Sequence, residues 1–305
     1  MSERGYIMAP GSPRGARAMT IAAAKGRSLW DDALRRLLRN KAAVTSMIAL
    51  GLLVILAVVG PWLTPYSYDE INKNDVWAPP LAAGHLLGAD SLGRDLLARL
   101  LIGLRVSLAI GLVATSVSLV IGVAWGATAG YLGGRVDELM MRIVDILYSL
   151  PFIFFVILLM VVFGRNFILI FLAIGAVEWL TMSRIVRGQT LSLKQKEFVE
   201  AARASGLTGP AIVARHIVPN LLGPVVVYVT LTIPAVILAE SFLSFLGLGV
   251  QEPLTSLGVL ISKGALDMEV APWLLIFPSA TMAATLMCFN FIGDGLRDAI
   301  DPKDR

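Results

Sequence analysis

The sequence KEFVEAARASG at residues 196–206 is a charged stretch that lies between strongly apolar segments. It runs on to HIVP at residues 216–219, where apolar character returns. A polar stretch of this length in an apolar chain is accessible to soluble partners. We therefore interpret it as a docking loop, and what it docks on determines how the chain works. The alternative is a solvated loop that merely joins two membrane segments.

The composition indicates a membrane protein. Hydrophobic residues make up 56% of the 305 residues, charged residues make up 16%, and the mean hydropathy is +0.75. Soluble domains carry about 25% charged residues, so the apolar mass is expected to face lipid and neighbouring helices rather than one globular core. Cys288 is the only cysteine in the sequence, which excludes a disulfide framework and a thiol metal site.

Apolar stretches close to the roughly 20 residues of a spanning helix predict an all-α, polytopic fold with six transmembrane helices. The predicted spans are residues 42–63, 106–131, 146–164, 166–182, 217–239 and 272–292. The fourth is the weakest, because it is short and Glu178 interrupts it.

The positions of lysine and arginine predict the orientation. With the N-terminus inside, the inner segments are 1–41, 132–142, 183–216 and 294–305, and the outer segments are 64–105, 164–166 and 249–273. The inner segments hold 20 of the 26 lysines and arginines, and such an excess marks the cytoplasmic side. The sequence therefore predicts an N-in, C-in topology. The same bias explains the basic pI of about 9.3 without a nucleic-acid partner.

The chain divides into a polar start, an outer segment and a membrane core. We predict a disordered N-terminus at 1–27, an amphipathic helix at 28–41, a first span at 42–63, an outer segment at 64–105, a core at 106–294 and a tail at 295–305. The amphipathic helix has Ser28 as its cap, and Leu34, Leu37 and Leu38 join Trp30 on its apolar face. Such a helix suits the inner headgroups.

The end of the outer segment is predicted to form an interfacial helix that leads into the second span. Asp90 or Ser91 is expected to cap it, and Asp95 is expected to pair with Arg99 four residues later. Two roles remain open for this helix. It either anchors the fold or forms a platform for an external partner.

The docking loop is predicted to begin with a helix from Leu193 to Ser205. Its apolar side is expected to carry Leu193, Phe198, Ala201 and Ala202. The small side chains of Ala201, Ala202 and Ala204 would allow close approach of another surface, and Glu200 offers a single directed charge.

A tight turn and a second helix are expected to follow. Gly206 suits the left-handed conformation that ends a helix. Thr208 or Gly209 is expected at the next cap, with Pro210 at the first helical position. The second helix is predicted to reach 217, where Pro219 limits it. Two helices around a glycine turn would make a rigid knob.

The spacing within this loop resembles a family motif. Glu200-Ala201-Ala202 precedes Gly206 by three residues, and nine more separate Gly206 from HIVP at 216–219. This pattern resembles the EAA loop of bacterial ATP-binding cassette (ABC) importer permeases, which fits a cleft on the ATP-hydrolysing subunit. The resemblance implies coupling roles for Glu197, Glu200, Ala201, Ala202, Gly206, His216 and Pro219.

Other motifs narrow the resemblance to the peptide/nickel branch of that family. His216 stands where isoleucine is usual, which is typical of the branch. Also similar to it are GADSLGRD at 88–95, GLRVSL at 103–108, FLSFLGLG at 242–249 and DGLRDAIDP at 294–302. The resemblance implies an outer signature of Asp90, Gly93, Arg94, Asp95 and Arg105. Residues 26–30, 185–194, 268–275 and 301–305 look like the oligopeptide permeases of the branch, so the similarity covers residues 26–305.

The resemblance implies a type I ABC importer permease fold and a non-catalytic subunit in the bacterial inner membrane. Expected partners are a homologous permease subunit, two ATP-binding subunits, and a periplasmic or lipid-anchored peptide-binding protein. Oligopeptides would be the cargo, carried from the periplasm to the cytoplasm. The chain has no G-x-x-x-x-G-K-[ST] phosphate loop, so no cofactor is expected on it. ATP and Mg would bind to the partner subunits.

Ionisable residues inside spans are costly and usually face the protein interior or water. We expect Asp145 to pair with Arg142 or Arg184. Glu178 is predicted to lie in a subunit interface or in the pathway. Glu240 is expected to serve helix packing or gating rather than to contact a peptide. His85 and His216 are isolated in the sequence, so no metal site is expected.

Two other classes of protein are disfavoured. A channel or secondary transporter would be expected to show inverted repeats or helices broken at mid-membrane, and it has no need of the docking loop. A membrane enzyme would need a cluster of catalytic side chains at one membrane face. Within the importer class, the alternative cargoes are dipeptides, nickel or glutathione.

Overall fold

The computed structural model describes residues 29–163 and 167–300, so the predicted disordered N-terminus, Ser28 and the last five residues lie outside it. The described part is helical, as predicted, and its one β-type pairing is a single bridge between Ala89 and Asp95. The helices are α1 (Leu29–Arg39), α2 (Lys41–Leu63), α3 (Leu96–Leu132), α4 (Gly134–Ser149), α5 (Phe152–Phe163), α6 (Phe167–Leu193), α7 (Glu197–Ala204), α8 (Gly209–Ile212), α9 (Val218–Phe245), α10 (Leu257–Leu266) and α11 (Trp273–Ile300).

Four helices in the described ranges are long and apolar enough to cross a membrane. They are α2, α3, α11 and a continuous helix, Gly209–Phe245, which comprises α8, a π-helical turn and α9. The bent pair α4 and α5 makes a fifth crossing if it is one span. The predicted number of six spans is therefore not confirmed, and the N-in, C-in orientation stays a prediction.

The predicted interfacial helix is not a separate element. Helix α3 runs without interruption for 37 residues, from the outer segment through the second predicted span. The predicted caps were wrong, because Asp95 is the N-cap and its carboxylate accepts the N–H of Ala98 over 2.7 Å. Asp90 is occupied earlier, where its Oδ1 accepts the backbone N–H groups of Leu92 and Arg94.

The third predicted span is broken. Helix α4 ends at Ser149, α5 begins at Phe152, and their axes differ by 86°. Pro151 has no N–H and disfavours helical backbone at the residue before it, and Leu150 is accordingly extended, with ψ 127°. The segment predicted as one span at 146–164 is therefore not one continuous helix, and residues 164–166 lie outside the described part.

Helices α3 and α6 approach closely along a glycine row. Gly122, Gly126 and Gly130 recur every four residues on α3 and face α6. A Cβ added at Gly126 would clash with the carbonyl oxygen of Ser183, so only hydrogen fits there. The row brings the two backbones together and fixes α6, the helix that leads into the docking loop.

Helix α1 packs on the end of the last helix. Leu37 is buried with Ala43 and Ala299, while Leu34 and Leu38 remain exposed. This distribution agrees with an amphipathic helix at a membrane surface. Helix α11 continues to Ile300, so the tail predicted at 295–305 is helical over its described part.

Candidate functional site

The docking loop begins with α7, which ends in a tight glycine turn. The N–H of Leu207 donates to Ala202 O over 3.2 Å, and the N–H of Gly206 donates to Arg203 O over 3.0 Å. This pair of hydrogen bonds is the Schellman motif. Gly206 has φ +81°, so the left-handed conformation predicted for it is confirmed. The helix begins at Glu197 rather than Leu193, and it is therefore shorter than predicted.

The buried face of α7 differs from the predicted one. Val199 and Ala202 are buried against Ile212 and Ile217, whereas Phe198 is 38% exposed. The same apolar cluster includes side chains of three other helices: Ala127 of α3, Met182 and Val186 of α6, and Leu221 and Val225 of α9. Helix α7 thus packs on α8 and the π-helical turn, and the apolar cluster continues from there to the three long helices.

The opposite face of α7 is free in this chain. Glu197, Glu200, Ala201 and Ala204 are exposed, and together they form what we call the α7 outer face. Of the three alanines predicted to receive another surface, Ala202 is buried by its own chain. The α7 outer face therefore presents two small side chains flanked by two carboxylates.

The second half of the loop does not end at Pro219. Thr208 is the N-cap of α8, which is one of the two predicted caps, and Pro210 is the second helical residue rather than the first. The chain then widens into a π-helical turn at Val213–Ile217, closed by the N–H of Val218 donating to Val213 O. Proline offers no N–H and its ring crowds the preceding turn. The wider turn makes room for that ring, and the helix continues to Phe245.

His216 lies in the π turn and is half-buried. Its carbonyl oxygen accepts a 2.6 Å hydrogen bond from Nδ2 of Asn220. His216 and Pro219 thus lie on the helix that follows α7 in sequence, and neither belongs to the α7 outer face.

The outer signature residues form a compact charged cluster. Nδ1 of His85 lies 2.8 Å from Oδ1 of Asp95, and Nε2 of the same ring lies 3.5 Å from Asp75. His85, which is isolated in the sequence, thus has two carboxylate partners in the fold. The predicted pair of Asp95 with Arg99 does not form, because Asp95 is taken by His85 and by its capping role. Arg99 instead has its Nε 3.6 Å from Asp90.

A second part of the cluster connects the outer segment to the loop before α10. Arg94 donates to Asp90 over 2.8 Å and to Glu252 over 3.3 Å, and Glu252 is also bonded by Lys263. The hydrogen bond from Lys263 and the nearby positive charges hold the pKa of Glu252 below its ordinary value, against an opposing effect of burial. Gly93 has φ +74°, and a Cβ there would fall on Asn72 O.

Arg105 lies apart from this cluster and contacts α2. Its Nε donates to Ala57 O over 2.8 Å and its Nη2 donates to Val58 O over 2.7 Å. Arg105 therefore ties α3 to α2, which is a structural role for one of the predicted signature residues.

Glu240 joins α9 to α10. It is fully buried, and its Oε1 accepts hydrogen bonds of 2.6 Å from the hydroxyls of Ser244 and Ser256. Ser256 is the N-cap of α10 and also receives the N–H of Val259. The predicted packing role agrees with this geometry, because a fully buried carboxylate between two helices offers no surface to a passing peptide.

Two ion pairs connect α4 to α6. Asp145 pairs with Arg184 over 2.8 Å, which is one of the two predicted partners. Asp137 pairs with Arg187 through two hydrogen bonds of 2.6 and 2.7 Å. The sequence did not single out this second pair, because both residues fall in predicted inner polar segments, where charged side chains are expected.

Glu178 lines a cavity of about 530 Å³. Residues of α4, α5, α6 and the bend between α4 and α5 line it. Among them are Tyr148, Phe155, Trp179 and Thr181.

The described residues contain no group of three or more His, Cys, Asp or Glu side chains that could hold a metal ion.

Comparisons with known proteins agree with this architecture. Residues 118–305 match the family described as the binding-protein-dependent transport system inner membrane component, and residues 28–80 match the N-terminal TM domain of oligopeptide transport permease C. The chain is 57% identical to the oligopeptide transport system permease protein OppC of Haemophilus influenzae over 282 residues, which cover 92% of this chain and 91% of that one.

Two further relatives are similar over most of their length. OppC of Escherichia coli K12 is 57% identical over 286 residues, with 92% of this chain and 93% of that one covered. The dipeptide transport system permease protein DppC of Bacillus subtilis is 44% identical over 279 residues, with 91% and 87% covered.

Among solved structures, a chain of the MetNI methionine ABC transporter in inward facing conformations is similar in fold. Its TM-score is 0.55 at 20% identity, and the match covers 67% of this chain and 96% of that chain.

Proposed function

Because the chain belongs to the family of inner membrane components of binding-protein-dependent transport systems, we propose that it is the permease subunit of an ATP-driven oligopeptide importer. It is a multi-pass inner membrane protein. The cargo follows from relatives named for oligopeptide transport that are 57% identical over 92% of this chain. The chain guides cargo across the membrane and performs no covalent chemistry.

The observation that carries the coupling proposal is the two-sided construction of α7. Its inner face, Val199 and Ala202, is buried in a cluster that contains residues of α3, α6 and α9. Its outer face, with Glu200, is exposed. A force applied to the outer face therefore reaches three long helices through packed side chains, because close-packed cores deform little.

The partner on the α7 outer face is an ATP-binding subunit in this proposal. Two such subunits bind ATP and Mg, and their closure moves α7 and opens the pathway outward. Coupling of this kind is reciprocal, so the outward state also favours closure of the ATP-binding pair. A homologous permease subunit completes the membrane part, and a peptide-binding protein delivers cargo from outside.

Dipeptides are the second candidate cargo. A relative named for dipeptide transport is 44% identical to this chain, so dipeptide cargo also fits this branch of the family. A series of labelled peptides of two to six residues separates the two candidates, because an oligopeptide importer should favour the longer members.

The test is transport in proteoliposomes that contain this chain copurified with the subunits encoded beside it. Uptake of labelled peptide and ATP hydrolysis are measured with and without the binding protein. Uptake that requires both ATP and the binding protein supports the proposal. Uptake driven by an ion gradient alone, or failure to copurify with any ATP-binding subunit, contradicts it and favours a secondary transporter.

A further inference from the structure

Glu178 interacts electrostatically with the phenol of Tyr228 on α9 but forms no ion pair in the described part of its own chain. It lies on α6, about midway between Phe167 and Leu193. Among the residues that the structure describes, no hydrogen bond or ion pair satisfies its carboxylate. It is half-buried and lines the 530 Å³ cavity at the bend between α4 and α5.

This cavity is unsuited to lipid. A charged side chain in the hydrocarbon region is costly unless it faces water or protein. The wall that carries Glu178 must therefore meet an aqueous space or another polypeptide in the assembled transporter. The bend at Leu150–Pro151 creates the concavity, because it turns α5 away from α4 by 86°.

The lining has the character of a ligand site. Its walls are mainly apolar and aromatic, with Tyr148, Phe155 and Trp179, and the hydroxyl of Thr181 adds a polar group. Cavities of about 300–1,000 Å³ with apolar walls and few polar groups are typical of small-molecule sites. A carboxylate beside aromatic rings favours a cation.

Neighbouring charges leave Glu178 as the group that is available. Asp145, on the same helix as Tyr148, is committed to Arg184 over 2.8 Å. The guanidinium of Arg184 also lies 4.4 Å from the ring centroid of Tyr148. Because Arg184 is paired with Asp145, its positive charge does not neutralise the carboxylate of Glu178.

We propose that this cavity is a stage of the translocation pathway in which Glu178 binds the α-ammonium group of the passing peptide. This inference rests on the proposed function. The amino terminus is the cationic group that peptides share whatever their side chains, so one carboxylate recognises cargo without selecting its sequence. Among the described lining residues no second charged group fixes the other end of the peptide, so binding is weak enough to permit release.

The first test compares two peptides of one sequence, one with a free amino terminus and one Nα-acetylated. Each is supplied at a concentration that saturates the isolated binding protein, and uptake is measured with the assembled transporter. Wild type should carry the free peptide about tenfold faster than the acetylated one, the size expected for one charge-assisted hydrogen bond. Glu178→Gln should remove this difference by slowing the free peptide alone.

The matched control is Glu138→Gln, the same chemical change at an exposed position of α4. It should leave the ratio of the two uptake rates as in wild type. An equal slowing of both peptides by Glu178→Gln would overturn the proposal and assign Glu178 to structure. An unchanged ratio in Glu178→Gln would also overturn it.

The second test does not depend on transport. Phe155→p-benzoylphenylalanine places a photoreactive group in the cavity, and the same change at Leu158, which is 61% exposed on α5, is the control. Labelling of a radioactive free peptide from position 155 but not from 158 supports the site. Crosslinking of position 155 to the second permease subunit, with no peptide labelled, overturns it. Absence of ATP-dependent uptake in wild type, with peptide labelling intact, would instead refute the proposed function.

Discussion

Arg105 donates a 2.8 Å hydrogen bond to the carbonyl oxygen of Ala57, the group that Pro61 leaves without a helical donor. In an α-helix that carbonyl would accept the N–H of residue 61, four positions later, and proline has none. Arg105 also approaches the ring of Trp62, with 5.8 Å from its Cζ to the ring centroid. A proline inside a spanning helix is thus compensated by an arginine from its neighbour.

This relationship predicts a coupling between positions 61 and 105. Arg105→Ala should destabilise the protein by about 1.5–3 kcal/mol, the range for hydrogen bonds to charged groups. The loss should be smaller in a Pro61→Ala background, because the alanine supplies the missing N–H. A double-mutant cycle on the thermal midpoint of the copurified complex in detergent measures this. Arg135→Ala, at an exposed position, should be additive with Pro61→Ala; additivity of Arg105→Ala as well would contradict the explanation.

The glycine row on α3 predicts strong sensitivity to a single methyl group. Gly126→Ala places a Cβ against the carbonyl oxygen of Ser183 and 2.9 Å from Cβ of Val186. Overpacking of this kind costs about 1–3 kcal/mol. Gly51→Ala on α2 is the control, since its Cβ would meet no atom within 4 Å and helix propensity should gain roughly 0.5–1 kcal/mol. Equal thermal midpoints for the two variants would refute this packing argument.

The α7 outer face predicts loss of transport without loss of assembly. Glu200→Arg should abolish ATP-dependent peptide uptake, because it reverses the charge at the proposed contact with the ATP-binding subunit. Membrane insertion and the packing of Val199 in its apolar cluster should be unchanged, as judged by expression and gel filtration. Glu138→Arg makes the same charge change on α4 and should transport normally. Normal uptake by a fully assembled Glu200→Arg complex would exclude the coupling role.

The outer cluster predicts a pH dependence. Lys263, chiefly through its hydrogen bond, lowers the pKa of Glu252 from the ordinary value of 4.5. The ionised carboxylate therefore contributes stability in full above that value, and the contribution is lost as the pH falls through the lower pKa of the folded state. Glu252→Gln should lower the thermal midpoint at neutral pH and match wild type in sufficient acid.

The effect at Glu252 should be modest, since this side chain is 47% exposed and exposed pairs contribute little. Glu269→Gln, at another exposed outer position, serves as the control and should follow the wild-type pH curve. A difference between Glu252→Gln and wild type that persists unchanged into acid would show that the carboxylate charge is not responsible.

Local chemistry was predictable from the sequence. The glycine turn at Gly206 and the N-cap at Thr208 follow from backbone preferences of single residues, and the structure has both. The buried face of α7 was not predictable in this way. An eight-residue helix offers two plausible faces, and the choice of Val199 over Phe198 is made by Ile212 and Ile217, which meet it only in the folded chain.

For charged residues too, local sequence predicted some features, and tertiary contacts determined the others. Sequence spacing favoured a pair between Asp95 and Arg99, but the structure gives Asp95 to His85 and to the helix cap. A local pair of this kind contributes only a few tenths of a kcal/mol, so tertiary partners easily displace it. Glu178 could be singled out because burial in a span makes any carboxylate conspicuous, but its cavity depends on the bend at Pro151.

The π turn at Val213–Ile217 makes the direction of the docking surface depend on one residue. Successive residues of an α-helix are rotated by about 100° around its axis, and a π turn contains one residue more than an α turn. Deleting one residue here would keep every side chain of the α7 outer face, yet it would turn that face by about 100° relative to α9. Homologues with identical docking residues could therefore be incompatible with each other's ATP-binding subunits through the length of this turn alone.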